Sequence, residues 1–164
     1  MTTSLDSFFA RQLKTYASYH RDEHNRATHF IGIPAIVFSI LLPLALVRVA
    51  GISLAVPVTL LALIGWIALD RVIGLAMVAV MLPMLIVAEW IARTYGSATA
   101  WNVFAVFFIG GWAFQLIGHA WEGRRPALAD NLFQAFIGPM FIMAEVLMAL
   151  GLKQDLKAAI NGAS

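Results

Sequence analysis

No cysteine occurs in the 164 residues, so disulfides and thiolate metal sites are excluded. Charge is scarce too: Asp, Glu, Lys and Arg make up 12% of the chain, against 61% hydrophobic residues. With a mean hydropathy of +0.82, a soluble domain is excluded, because its outer faces would have to meet water. The net charge of +2 comes from basic residues scattered beside apolar runs. They build no basic, aromatic-interleaved surface, which excludes a nucleic-acid partner. Residues 1–29 lack a long apolar core and are therefore no cleavable signal peptide. Strong internal repeats and low-complexity segments are also missing, so the chain reads as a single membrane domain, 1–164.

What is present is apolar length. Five runs approach the roughly 20 residues that cross a hydrocarbon layer about 30 Å thick. They are Phe30–Ala50, Ile52–Leu69, Val72–Ala92, Ala100–Gly118 and Leu132–Leu152. In lipid the backbone must satisfy its own hydrogen bonds, which makes these helices. The expected fold is an all-α integral membrane bundle of about five transmembrane helices, with four or six left open. The second run is short and contains Pro57. Ahead of the bundle (30–152), residues 1–29 carry Leu5, Phe8, Phe9, Gln12, Leu13, Tyr16 and Tyr19 at helical spacing, an N-terminal amphipathic helix. Residues 153–164 read as a polar tail. Five crossings put Arg11, Lys14, Arg21, Arg26, Arg71, Arg124 and Arg125 on one side, and Arg48, Arg93, Lys153 and Lys157 on the other. The basic excess predicts a cytoplasmic N-terminus.

All four histidines belong to that same face. His20, His24 and His29 precede the first run, His119 ends the fourth, and four crossings return the chain to its starting side. A single histidine at a membrane interface is ordinarily just polar; four on one face point to a metal site. His20 and His24 are four apart, so a helix would put both on one side, where they can share an ion. His29 lies nine residues from His20, about 180° round a continuous helix. It joins them only if the chain turns, and Asp22 to Asn25 suit a turn and a helix cap.

Around His119, Gln115 lies one turn beneath and Glu122 three residues beyond, where a carboxylate can orient an imidazole or ligate the metal itself. Arg124 and Arg125 add a positive field suited to a carboxylate or phosphate, although juxtamembrane arginines are ordinary topology markers. Glu145, some 13 residues into the fifth run, lies about 20 Å from the histidine face on a regular helix. Such depth makes it a functional candidate but argues against a place around the same ion.

The pattern Tyr16-x-x-Tyr19-His20, Asn25-x-x-x-His29, Gly32-Ile33-Pro34, then Gln115-x-x-Gly118-His119, Glu122, Arg124-Arg125-Pro126-Ala127-Leu128, Asn131, Gln134, Pro139 and Glu145 resembles the membrane 2-hydroxy fatty acid dioxygenases of phytosphingosine catabolism. The resemblance covers about residues 13–152. It implies an Fe(2+)-dependent enzyme that uses O2 to shorten a 2-hydroxy fatty acid by one carbon. It further implies metal roles for His20, His29 and His119, with His24 a fourth ligand or an interfacial neighbour and Glu122 a catalytic carboxylate. Tyr19, Asn25, Asn131 and Arg124 or Arg125 are then candidates for binding the substrate. Gln115, Gln134 and Glu145 would support the ligands from outside. Imidazole suits iron(II), and an oxygenase needs coordination positions left open.

Other readings compete. Di-iron membrane hydroxylases carry eight or more clustered histidines, twice the number here. Paired haem ligands would sit inside the helices rather than at their ends. A non-enzymatic transporter or scaffold, with Glu145 and Gln115 along a path, predicts no bound metal. Oligomeric state is not readable from the sequence.

Overall fold

The computed structural model describes residues 7–126, 129 and 131–161, the side chains of 159 and 161 apart. Leu5 of the amphipathic pattern and Ala127 and Leu128 of the motif lie outside the described residues. Among the described residues seven α-helices follow in order: α1 (Phe8–Ser18), α2 (Glu23–Leu46), α3 (Ala55–Leu69), α4 (Arg71–Thr94), α5 (Gly96–Glu122), α6 (Phe133–Ala149) and α7 (Gln154–Asn161). A two-residue hairpin, β1 (Arg48–Val49) with β2 (Ile52–Ser53), joins α2 to α3. The fold is all-α, and α2, α4 and α5 are long and apolar enough to cross a membrane.

The outer faces of these helices behave as lipid-facing surfaces. Leu61, Ile64, Ile86, Val106 and Ile109 are each more than 60% exposed, which water would not tolerate as a continuous face. Trp101 and Trp121 are both exposed on α5. Their separation corresponds to about 30 Å of helical rise, the thickness of the hydrocarbon layer, with an aromatic ring at each interface. His119 lies two residues before Trp121, at the same end of α5.

Close packing of α2 on α5 fixes the core of the site. A Cβ built at Gly111 would meet Ile36 Cγ1 at 2.7 Å and the Gly32 carbonyl at 2.9 Å, and one at Gly118 would collide with Thr28 and Asn25. Only small residues let two membrane helices approach so closely. At the far end, the Glu89 carboxylate accepts from Arg48 Nη2 at 2.6 Å and Arg93 Nε at 3.0 Å, so hairpin and α4 meet there. Pro57 lies in the first turn of α3, where its missing N–H costs little. The second apolar run accordingly becomes a helix of 15 residues starting at Ala55 rather than Ile52.

Two segments take a different course from the sequence reading. Helix α6 has its first turn tied to the α3–α4 corner, where Trp66 Nε1 donates to the Phe136 carbonyl at 3.0 Å and the two rings stack. Just beyond its C-terminus, Lys153 Nζ donates to Asp70 Oδ2 at 2.6 Å, both side chains almost wholly buried. Trp66 and Asp70 are one turn apart. Residues near both ends of α6 thus reach one corner, at the end of the bundle that holds the histidines. The segment 154–161, expected as polar tail, is instead a short helix with Leu156 buried, because Leu156 and Ile160 recur at one helical turn.

Helix α1 is amphipathic and lies on the bundle. Its cap is Ser7, whose Oγ accepts from Ala10 N at 3.1 Å. Phe9, Leu13 and Tyr16 are buried, and Phe8 and Tyr16 pack on Phe133 and Phe141 of α6.

Candidate metal centre

Three elements deliver three imidazoles to one point. His20 follows the end of α1, His29 lies two turns into α2, and His119 ends α5. All three are buried, and one nitrogen of each lies within 4.8 Å of the others. Among the described residues this is the one group of three or more His or carboxylate side chains with that spacing and burial.

The local backbone fixes what two of these rings present. His20 Nδ1 lies 2.7 Å from the Tyr16 carbonyl and His29 Nδ1 lies 2.8 Å from the Asn25 carbonyl, each four residues upstream. A carbonyl only accepts, so each Nδ1 carries the proton and each neutral ring turns its Nε2 lone pair inward. Those two Nε2 atoms are 2.9 Å apart. Burial pushes the His20 pKa down to about 3; the His29 imidazole and, more weakly, His119 add to this, while the bond to Tyr16 opposes it. A shared proton is thus disfavoured, and facing lone pairs repel unless a cation lies between them. His119 Nδ1 is buried with no hydrogen-bond partner. Nitrogens about 2.1 Å from one metal and at right angles to each other would be roughly 3 Å apart, as His20 and His29 are. The donor set fits a metal ion that prefers imidazole.

Rings pack around the triad. Tyr16 stacks on His20 at 4.2 Å with planes 6° apart, and Phe141 lies 5.8 Å from it.

The remaining candidates fall into distinct places. His24 is not with the other three: its side chain is 77% exposed, 3.4 Å from Asp22 Oδ1, and its ring tilts against Trp121. The helical face it was expected to share with His20 does not exist, since α1 ends at Ser18 and α2 starts at Glu23. Asp22 caps α2, its Oδ1 accepting from the amides of His24 and Asn25.

Glu122 is spent on this same turn. Its Oε1 accepts from the Arg21 amide at 3.1 Å, and its Oε2 accepts from the Asp22 amide at 2.8 Å and Asn25 Nδ2 at 3.1 Å. The carboxylate at the end of α5 therefore clasps the entry to α2, favoured there by the helix N-terminus. Asn25 Nδ2 also donates to the Tyr19 carbonyl. Asn25 and Tyr19 thus build the frame that carries His20 and His29.

Two cavities flank His20. One, of about 220 Å³, is bounded by the three histidines, Tyr16, Gln115 and Gln134 and by apolar residues of α2 and α5 such as Val37, Ile40 and Phe108. The other, of about 710 Å³, is lined by Lys14, Arg21, Arg26 and Lys157 together with Glu145. Arg124 and Arg125 line neither; Arg124 Nη1 donates to the Ser18 carbonyl at 3.2 Å. Asn131 Oδ1 accepts from the Phe133 amide at the start of α6. Gln115 and Gln134 make no hydrogen bond to an imidazole; carbonyls of Tyr16 and Asn25 have that role.

Glu145 is not at the expected depth. It pairs with Arg26 at 3.8 Å and shares a cavity wall with His20, because α6 stays at the histidine end. Lys14, Arg26 and Lys157 were not singled out as site residues in the sequence. Tyr16 and Asn25 carried a usable signal: each stands four residues before a histidine, the offset at which an imidazole reaches a carbonyl of the preceding turn.

No solved structure matches the chain. The 2-hydroxy-palmitic acid dioxygenase MPO1 of Saccharomyces cerevisiae is 34% identical over 155 residues, covering 92% of this chain and 86% of the relative. The family model for 2-hydroxy-palmitic acid dioxygenase Mpo1-like proteins matches residues 7–150. Set beside three buried imidazoles gathered from the α1–α2 turn, α2 and α5, a match of this length places the chain in the Mpo1-like family.

Proposed function

We propose that this chain is an iron(II)-dependent dioxygenase that uses O2 to shorten a 2-hydroxy fatty acid by one carbon. The observation that carries the reading is the pair of inward Nε2 lone pairs, 2.9 Å apart and fixed by two backbone carbonyls. The yeast relative's name gives the substrate class. His20, His29 and His119 would hold the ion, which supplies redox chemistry and coordination positions that the protein leaves open.

The chain's own residues do the rest. Tyr16 and Asn25 hold the tautomers of His20 and His29. Glu122 keeps α5 and the α1–α2 turn together, so that His119 faces its partners. The apolar cavity receives the carbons next to the acid head. Ile40 on its wall, within the apolar helix α2, is 43% exposed, so the rest of the tail can remain in the bilayer, a natural medium for such a substrate. Lys14, Arg21, Arg26 and Lys157 give the water-side cavity an excess of positive charge over Glu145, which attracts a carboxylate to this end.

The histidine face is cytoplasmic on this reading. With α6 returning, Lys153 and Lys157 join that side, leaving only Arg48 and Arg93 of the eleven basic residues at the other end.

The test is incubation of the purified, iron-loaded protein with 2-hydroxypalmitate and O2, with products identified by mass and metal content measured in parallel. A product one carbon shorter, with bound iron and no haem absorbance, is expected. A protein that binds no metal and consumes no oxygen would favour a transporter or scaffold.

A further inference from the structure

The apolar cavity beside the triad contains two unspent hydrogen-bonding groups of opposite sense. Gln115 is 7% exposed, and its amide nitrogen Nε2 has no partner. Gln134 is 2% exposed; its Nε2 donates to Gln12 Oε1 at 2.7 Å, which leaves its carbonyl Oε1 buried and unpartnered. Both side chains line the same cavity as His20, His29 and His119. Buried polar groups in folded proteins are nearly always paired, because each one left without a partner is destabilising. One orphan is an accident of packing, whereas a donor and an acceptor in one cavity of about 220 Å³ match a ligand with the complementary groups.

The backbone makes room for this arrangement. A Cβ at position 32 would overlap Gln115 Nε2, so the glycine there admits the amide beside α2. On the other side Gln12, from α1, binds the nitrogen of the Gln134 amide and so holds the carbonyl free. Three elements thus leave the two amide groups in the cavity wall without a protein partner for one atom each.

We propose that Gln115 and Gln134 recognise the head of the 2-hydroxy acid: Gln115 Nε2 donates to a carboxylate oxygen, and Gln134 Oε1 accepts from the 2-hydroxyl. This rests on the reading of the site as a 2-hydroxy fatty acid dioxygenase and adds the source of its selectivity. An unsubstituted fatty acid would satisfy Gln115 but leave the Gln134 carbonyl buried without a donor. A site built to bond a substrate hydroxyl rejects the analogue that lacks it for this reason.

The test is equilibrium binding without turnover. Full-length, iron-loaded protein in detergent is titrated with 2-hydroxypalmitate and with palmitate in the absence of O2. Wild type binds the hydroxy acid more tightly. Gln134→Met keeps the volume and removes the acceptor, together with the Nε2 bond to Gln12; it narrows that preference roughly tenfold, from one lost hydrogen bond to the substrate, without weakening palmitate binding and with iron content unchanged. Gln115→Met weakens both acids alike by roughly tenfold. Its thermal stability stays the same or rises, because Nε2 loses no protein partner, whereas a structural glutamine would lower it.

An unchanged preference in Gln134→Met at wild-type iron content overturns the proposal, as does a wild type that binds both acids equally. Should Gln134→Met not fold, the Gln115→Met arm decides: unaltered affinity for both acids overturns it. A wild type that holds no iron and binds no 2-hydroxypalmitate would instead bring down the parent reading of the site.

Discussion

Replacing Glu122 with Ala separates two roles that a carboxylate three residues past a metal-site histidine can have. As a brace, it accepts three hydrogen bonds of 2.8–3.1 Å, from the amides of Arg21 and Asp22 and from Asn25 Nδ2. A bond to a charged group contributes about 1.5–3 kcal/mol. Arg21's amide bond is exposed and counts for little; the other two are half-buried and are discounted in part. The sum is about 3 kcal/mol, which for a chain of this size lowers Tm by roughly 6–12 °C. Because the clasp joins α5 to the His20–His29 turn, metal affinity falls with it, by about 10–100-fold as for other supports of ligand geometry. Glu122→Gln keeps one neutral acceptor and should lie between wild type and Ala in both measurements. Thermal unfolding followed by circular dichroism, alongside metal analysis, checks this. If Glu122 were a ligand, Gln would lose metal as fully as Ala while Tm moved less. A wild-type Tm in Glu122→Ala would refute the brace outright.

Three further outcomes are expected. Ala at His20, His29 or His119 abolishes turnover and strips the iron, and full activity in the metal-free triple variant would defeat the assignment. His24→Ala leaves iron content and turnover near wild type, since that side chain is 77% exposed and faces Asp22 and Trp121; loss of iron would return it to the ligand set. The absence of cysteine allows single-cysteine labelling of α6: Leu152→Cys reacts with an impermeant thiol reagent from the same side of the membrane as Arg124→Cys, and Tyr95→Cys from the other. Opposite-side labelling of positions 152 and 124 would show that α6 crosses.

The meeting of the histidines was readable from sequence because it follows from counting. Even crossings return the chain to its starting face, and that parity holds whether or not α6 crosses, since His119 comes before it. The turn that brings His29 to His20 was also readable, because Asp22 announces a cap and His29 lay on the wrong side of any continuous helix. The path of α6 was not. Hydropathy measures how apolar a segment is and not what covers it. A 17-residue helix buried by α1, α2 and α4 therefore looks like one buried by lipid. The error in the depth of Glu145 follows from that alone. His24 failed for a related reason: an i, i+4 pair implies one face only if both residues share a helix, and a helix end falls between these. Arg124 shows a different limit, since proximity in sequence to His119 says nothing of where its guanidinium finds an acceptor, here the Ser18 carbonyl.

The same construction occurs at both anchored histidines, and it shows how an apolar chain can orient two buried imidazoles without a carboxylate. In each case Nδ1 donates to the carbonyl four residues back, which for His20 is a carbonyl in the last turn of α1 that also accepts from the Tyr19 amide. Ring orientation is thus set by main chain, and no second polar side chain has to be buried to hold it. The consequence is repulsion: two lone pairs at 2.9 Å in a setting that keeps His20 neutral. Without an ion, that repulsion bears on α1, the short helix that His20 follows. It joins the bundle mainly through Phe9, Leu13 and Tyr16, whereas His29 and His119 lie on helices locked together at Gly32, Gly111 and Gly118. An ion bound there would therefore do more than fill a hole: it would hold down the helix that separates the apolar cavity from the basic one, since Tyr16 borders the first and Lys14 and Ala17 border the second.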